Sequence, residues 1–240
     1  MIDVHCHILP AIDDGSSCME DSVKLARQCV EDGVDTVVCT PHGTSSTLQE
    51  QIGRRDAAMA QLREELERQG IPLRLLPGLE YCIDGHSLDC YRQAENFTLG
   101  GRIGGALLLE FPFEVDFTLT SNLLFYASQR DVQIILAHPE RYHGFLQHKE
   151  EIVGWLNRGL LLQFNACNLK HRGFFFNRVP KMIAELIAVA PDQILLGSDA
   201  HHPEDRPAGL SVAKETVVSA LGEDGWRKLT VENPSRVIGL

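Results

Sequence analysis

Residues 1–15 read MIDVHCHILPAIDDG, and residues 193–201 read QILLGSDAH. In each, an apolar run ends in two ligand-type side chains two positions apart: His5 and His7 in the first, Asp199 and His201 in the second. Residues i and i+2 of a β-strand share a face. Each pair can therefore turn toward one ion, while Cys6 turns away. In a closed barrel the first and last strands are neighbours, and the two pairs would meet. The fold thus depends on whether the intervening chain alternates strand and helix.

The pattern between them alternates throughout. Residues 2–5 read as the first strand. Ser17 and Glu20 have capping-box spacing and predict a helix to Glu31, ended by Gly33. The β-branched run 34–39 is the second strand. A helix over 48–69 follows, stopped by Gly70, then a third strand over 73–79 and a short helix over 86–95. Strands are predicted over 106–110, 132–137, 160–164 and 193–196, and helices over 119–130, 149–158 and 179–189. Asn233 and Pro234 open a last short turn. The strands are almost wholly apolar, as parallel strands covered on both faces are. Seven β/α repeats in one domain spanning residues 1–240 predict a parallel sheet or barrel. The absence of a GxGxxG or P-loop motif disfavours a nucleotide-binding open sheet.

Every strand delivers a polar side chain at its C-terminal end, where α/β proteins build active sites. In order these are His5, His7 and Asp14; His42; Glu80; Glu110; His138 and Arg141; Asn165; Asp199 and His201. Five histidines and four carboxylates exceed what one ion can use and suit two or three. A nitrogen and oxygen donor set without thiolate favours Mn²⁺, Fe²⁺ or Zn²⁺ over a cysteine-type structural zinc. Glu80 and Glu110 directly follow apolar strands, where a charge is costly unless paired or metal-bound. Asp13 reads as a turn residue or a support for the ligands. His86, His143, His148, His171 and His202 fall outside the pattern and are expected at the surface. The stretch 173–177, GFFFN, reads as core cover, with Phe174, Phe175 and Phe176 as an aromatic wall for a ring or a subunit contact in the alternative.

Composition narrows the class. The 22 basic and 33 acidic residues give a net charge of −11, which argues against nucleic acid as a partner. No apolar run approaches the ~20 residues of a membrane span, and the start lacks the regions of a signal peptide. Seven scattered cysteines without a CxxC motif fit a reduced, cytoplasmic protein. No cysteine has an arginine six positions later, the spacing of thiolate phosphatases; Cys167 and Arg172 are one residue short.

The ordered motifs HxH, DDG, TPH, GLEY, LLEFP, AHPER and SDAHHPEDRP resemble the PHP (polymerase and histidinol phosphatase) superfamily. Within it they resemble the bacterial CpsB/CapC-type tyrosine-protein phosphatases of capsule and exopolysaccharide synthesis. The resemblance implies a distorted (β/α)7 barrel with three divalent metals, usually manganese. By it, His5, His7, Glu80 and Asp199 hold one metal, Glu80 bridges to a second completed by Glu110 and His138, and Asp14, His42 and His201 hold a third. Arg141 and Arg206 match phosphate-binding arginines, although Glu140 and Asp205 offer them local partners. The implied reaction is hydrolysis of phosphotyrosine by metal-activated hydroxide, on the C-terminal tail of a bacterial tyrosine kinase. The rival readings are a small-molecule phosphatase, such as one for histidinol phosphate, and a non-catalytic metal-stabilised module of the assembly machinery.

Overall fold

The predicted alternation is the architecture found in a computed structural model, which describes residues 1–84, 97–102, 104–112, 114–130, 132–170 and 178–240. The helix expected over 86–95 and the aromatic stretch 173–177 lie outside the described residues. The elements run β1 (Ile2–Cys6), α1 (Met19–Glu31), β2 (Thr36–Cys39), β3 (His42–Gly43), α2 (Leu48–Arg68), β4 (Arg74–Pro77) and β5 (Glu80–Cys82). They continue β6 (Ala106–Glu110), α3 (Phe117–Ser128), β7 (Gln133–Ala137), α4 (Lys149–Leu156), β8 (Leu161–Asn165), α5 (Arg178–Val189), β9 (Ile194–Gly197), α6 (Lys214–Arg227) and α7 (Asn233–Ile238). Every ladder between these strands is parallel.

The second and third strands are found as β2 and β4, each followed by a further short strand, β3 and β5, that the pattern does not predict. β4 pairs with β2, whereas β5 pairs with β3 and β6. The gap between β2 and β3 contains Pro41, and the gap between β4 and β5 follows Pro77, the last residue of β4; a proline has no N–H to give to a ladder. The capping box of α1 is not formed: Cys18 is the N-cap, without a side-chain cap. Ser17 Oγ instead donates to Asp21 Oδ2 at 2.6 Å, because the helix begins later than the spacing assumed. The remaining predicted boundaries agree to within two residues.

The breaks divide the strands into a sheet β1-β2-β4 and a sheet β3-β5-β6-β7-β8-β9. The first and last strands meet through a parallel bridge between Cys6 and Ala200. His7 N donates to Ala200 O, and Asp199 N donates to His5 O. The result is a distorted barrel of two sheets, joined between the first and last strands where the two motif pairs sit.

Inside it, alternate residues form one apolar cluster: Ile2 and Val4, Val38, Ala106 and Leu108, Ile135 and Ala137, Leu161 and Leu195, closed from below by Val237 and Ile238 of α7. The intervening residues, such as Leu107, Leu109 and Leu196, pack outward in the cluster shared with the helices. Continued toward the strand ends, the inward rows become polar: Ala106, Leu108, Glu110; Leu161, Gln163, Asn165. On β1 the register gains one residue between Asp3 and Cys6. Such a bulge turns an extra side chain to one face. It lets Val4 fill the interior and His5 enter the site above it. Asp3 Oδ1 accepts from His5 N at 3.2 Å and Ser198 N at 3.0 Å.

Candidate metal centre

Eight side chains from the strand ends and the loops after them gather about Glu80. His5 Nε2 and His7 Nε2 lie 3.2 and 3.1 Å from Glu80 Oε2, and His42 Nδ1 lies 3.1 Å from the same oxygen. His138 Nε2 reaches Glu80 Oε1 at 2.8 Å and Glu110 Oε1 at 3.5 Å. Asp199 Oδ1 is 3.5 Å from His5 Nε2 and 3.6 Å from His7 Nε2. Asp14 Oδ1 is 3.2 Å from His42 Nε2 and 3.5 Å from His201 Nε2. Four overlapping donor groups result: His7, Asp14, His42 and His201; His5, Glu80 and His138; His5, His7 and Asp199; His42, Glu80 and Glu110. Most of these side chains are buried, but Asp14 is exposed and His42 partly so. The cluster therefore opens to solvent on the side of Asp14.

The donor set fits cations. Glu80 Oε2 is buried and has no hydrogen-bond partner, although three imidazole nitrogens stand close to it. His5 Nε2 and His7 Nε2 are 3.2 Å apart. Two nitrogens bound at about 2.0–2.1 Å to one ion are separated by roughly 3.0–3.4 Å. The other ring nitrogens are occupied as metal-ligating histidines require: His5 Nδ1 pairs with Gln163 Oε1 at 2.7 Å and His7 Nδ1 with Asp13 Oδ2 at 2.8 Å.

The cluster's protons follow from the same geometry. Burial alone would lower His5, but the charges of Glu80 and Asp199 outweigh it and push its pKa up to about 9. His7 goes to about 10, since its hydrogen bond to Asp13 and the charge of Glu80 override burial. Burial and the neighbouring His7 charge lower His201 to about 4. Burial and the charge of Glu80 raise Glu110. Without cations the inner carboxylates thus hold protons on His5 and His7, and cation binding must displace them.

Arg206 Nη2 lies 2.5 Å from Asp199 Oδ2 and Arg141 Nη1 lies 3.2 Å from it. Their partner is this site carboxylate, rather than Glu140 or Asp205. Asn165 Nδ2 donates to the same oxygen at 2.7 Å. Asp199 (φ 52) and His138 (φ 29) both have left-handed backbones, a conformation costing about 1–3 kcal/mol each that concentrates at functional sites. Gly15 is needed for approach: a Cβ there would stand 2.4 Å from His7 O. A cleft of about 450 Å³ opens beside Asp199 and Arg206, with Asn165, Cys167 and Lys170 in its walls.

All nine residues expected as ligands, and both arginines, are therefore brought together. Asp13 supports His7 and also accepts from Gly15 N and His42 N. His143 and His148 are exposed, as expected, while His202 is half-buried. Gln163 and Glu140 are buried or part-buried neighbours of the cluster that the strand-end reading does not place there. Gln163 is polar within an otherwise apolar strand, two residues before Asn165, a period-two signal available in the sequence. Glu140 Oε1 accepts from Asn165 N at 2.9 Å and Asn168 Nδ2 at 3.0 Å.

Comparison with known proteins places this geometry. The family model for capsular polysaccharide synthesis, CpsB/CapC, matches residues 1–239. The chain is 30% identical over 207 residues to the tyrosine-protein phosphatase YwqE of Bacillus subtilis, covering 86% of this chain and 79% of that protein. It is 26% identical over 247 residues to the tyrosine-protein phosphatase CpsB of Streptococcus pneumoniae, covering 99% and 98%. A crystal structure from work on YwqE and CpsB, described as metal-dependent tyrosine phosphatases, superimposes with a TM-score of 0.83 at 27% identity, covering 100% of this chain and 94% of the other. The chain belongs to the CpsB/CapC family of capsular polysaccharide synthesis.

Proposed function

We propose that this protein is a metal-dependent tyrosine-protein phosphatase. The observation that carries the reading is the convergence of imidazoles and carboxylates on Glu80, whose buried Oε2 has no hydrogen-bond donor. The kinship with proteins named as tyrosine phosphatases supports the substrate class. Three divalent cations are assigned, manganese first with Fe²⁺ and Zn²⁺ as alternatives. His5, His7, Glu80 and Asp199 would hold one, Glu80, Glu110 and His138 a second, and Asp14, His42 and His201 a third. Such cations, when bound, lower the pKa of a water to about 7 and neutralise phosphoryl oxygens.

The chain's own groups do the rest. Asp13 and Gln163 occupy the Nδ1 atoms of His7 and His5, so Nε2 is the atom of each ring that would release its proton and ligate. Arg141 and Arg206 wait on Asp199 Oδ2 and would transfer to the phosphoryl oxygens, for which guanidinium geometry is well suited. The leaving tyrosyl oxygen has a solution pKa near 10 and needs only modest protonation. The cleft beside Arg206 offers room for the substrate residue. The physiological substrate we assign is the phosphorylated C-terminal tail of a tyrosine kinase of capsule or exopolysaccharide synthesis. The single domain would act in the cytoplasm; among the described residues no helix is long and apolar enough to cross a membrane.

Phosphate release is to be measured with a phosphotyrosine peptide and with histidinol phosphate, before and after chelation. Faster turnover of the peptide, abolished by chelator and restored by Mn²⁺, is expected. Preference for histidinol phosphate would overturn the substrate class, and undiminished turnover after complete metal removal would overturn the mechanism.

A further inference from the structure

Behind the donor cluster a chain of side-chain hydrogen bonds runs across β8. His5 Nδ1 pairs with Gln163 Oε1 at 2.7 Å, Gln163 Nε2 donates to Asn165 Oδ1 at 3.0 Å, and Asn165 Nδ2 donates to Asp199 Oδ2 at 2.7 Å. All four residues are buried. The chain begins and ends on residues that already face one another, since His5 Nε2 and Asp199 Oδ1 are 3.5 Å apart.

Its polarity is fixed from both ends. An ionised carboxylate only accepts, so Asp199 must face the Asn165 amide nitrogen, and the Asn165 oxygen must then face the Gln163 nitrogen. At the other end the backbone N–H of His138 donates to Gln163 Oε1 at 3.3 Å, which independently makes that atom the oxygen. His5 Nδ1 meets an acceptor and must keep its proton, so that Nε2, beside Glu80 and His7, is the nitrogen that gives up its proton to a cation. The fit is close: a Cβ on Gly197 would stand 2.6 Å from His5 Cβ and 2.8 Å from Gln163 Nε2.

We infer that Gln163 is a positioning residue that sets the ligating tautomer of His5 and, through Asn165, ties it to the orientation of Asp199. The inference rests on the metal-centre reading above. Supporting partners of this kind typically change metal affinity by about 10–100-fold when removed.

The test uses wild type, Gln163→Met and Gln163→Glu, with Mn²⁺ affinity measured by equilibrium dialysis of the metal-free proteins. The His5 ring tautomer is read by nitrogen-15 NMR of the Zn²⁺-loaded proteins. Methionine matches the size of glutamine and gives no hydrogen bond, so Mn²⁺ affinity should fall by about 10–100-fold. Glutamate still accepts from His5 Nδ1, so Gln163→Glu should keep the Nδ1–H signal and bind Mn²⁺ more tightly than Gln163→Met. A merely space-filling Gln163 reverses that order, because Met packs well and a buried extra charge does not. Wild-type affinity in Gln163→Met, or Glu ranking below Met, overturns this inference alone. Wild type that takes up neither metal overturns both it and the metal-centre reading. Should Gln163→Met fail to fold, the tautomer decides: Nε2–H on His5 in Zn²⁺-loaded wild type, or loss of Nδ1–H in Gln163→Glu, rejects the assignment.

Discussion

Arg206 and Asp199 are held together by the shortest ion pair at the site, Nη2 to Oδ2 at 2.5 Å, and Arg141 shares the same oxygen. Asp199 is thus divided between two tasks, with Oδ1 toward His5 and His7 and Oδ2 toward the guanidinium groups. A phosphoryl group entering the site would compete for those groups at the Oδ2 side. Arg206→Lys keeps the charge and loses the planar fork. Charge-assisted hydrogen bonds are worth about 1.5–3 kcal/mol, so we expect KM, and the inhibition constant of inorganic phosphate, to rise about tenfold to a hundredfold. Steady-state kinetics with a phosphotyrosine peptide checks this; an unchanged phosphate constant would remove Arg206 from phosphate binding.

His5 touches both Glu80 and Asp199 and is wholly buried. His5→Ala should release bound metal and reduce turnover by a factor on the order of 10³ or more, the equivalent of about 4 kcal/mol of transition-state stabilisation. Elemental analysis beside a phosphate-release assay tests it. Full metal content with full turnover would exclude His5 as a ligand.

Gly197 gives the site its clearance. Gly197→Ala would press on His5 Cβ and Gln163 Nε2, and overpacking of this kind costs about 1–3 kcal/mol. A lower Tm together with reduced metal content is expected from thermal unfolding and elemental analysis. A drop in Tm with metal content preserved would mean that the strain is absorbed on the β9 side.

The thiols should be bystanders in catalysis. Cys6, Cys29 and Cys39 are buried, and Cys18 and Cys167 are exposed. Burial pushes the Cys39 thiol up to about 12, so at pH 8 only about one molecule in 10⁴ carries the reactive thiolate, a fraction that grows as pH rises. Mass spectrometry after brief iodoacetamide treatment of the folded protein at pH 8 should find label on Cys18 and Cys167 and none on Cys39. Because Cys167 lines the cleft beside Arg206, the decisive variant is Cys167→Ala, which should turn over normally. Its inactivity would favour a nucleophilic thiol.

Much of this site could be read from residue order. The pairs His5 and His7, and Asp199 and His201, announced themselves because period-two spacing at a strand end is a local property. The breaks at Pro41 and Pro77 were less legible. Around Pro77 apolar residues continue on both sides, Leu75 and Leu76 before and Leu79 after, and the two-residue strand β3 after Pro41 is too short for a period to show. The bulge at Val4 and His5 was hidden for the same reason: it appears only when β1 is set against β2. Gln163 went unread because its role depends on His5, 158 positions away. The capping expectation at Ser17 failed in the opposite sense, since the local motif was present and Asp21 took the hydroxyl instead.

The bridge that joins Cys6 to Ala200 also bears on how the molecule is made. Chain elongation proceeds from the N-terminus, so His5 and His7 leave the ribosome long before the segment that completes their surroundings. Contacts of such long sequence separation form slowly. Strand β1 must wait with one edge unpaired until β9 is synthesised, and a growing chain has an exposed ligand pair but no centre. Translation pausing, chaperone capture or early metal scavenging would act on that interval, when about four-fifths of the polypeptide exists and the barrel is still open.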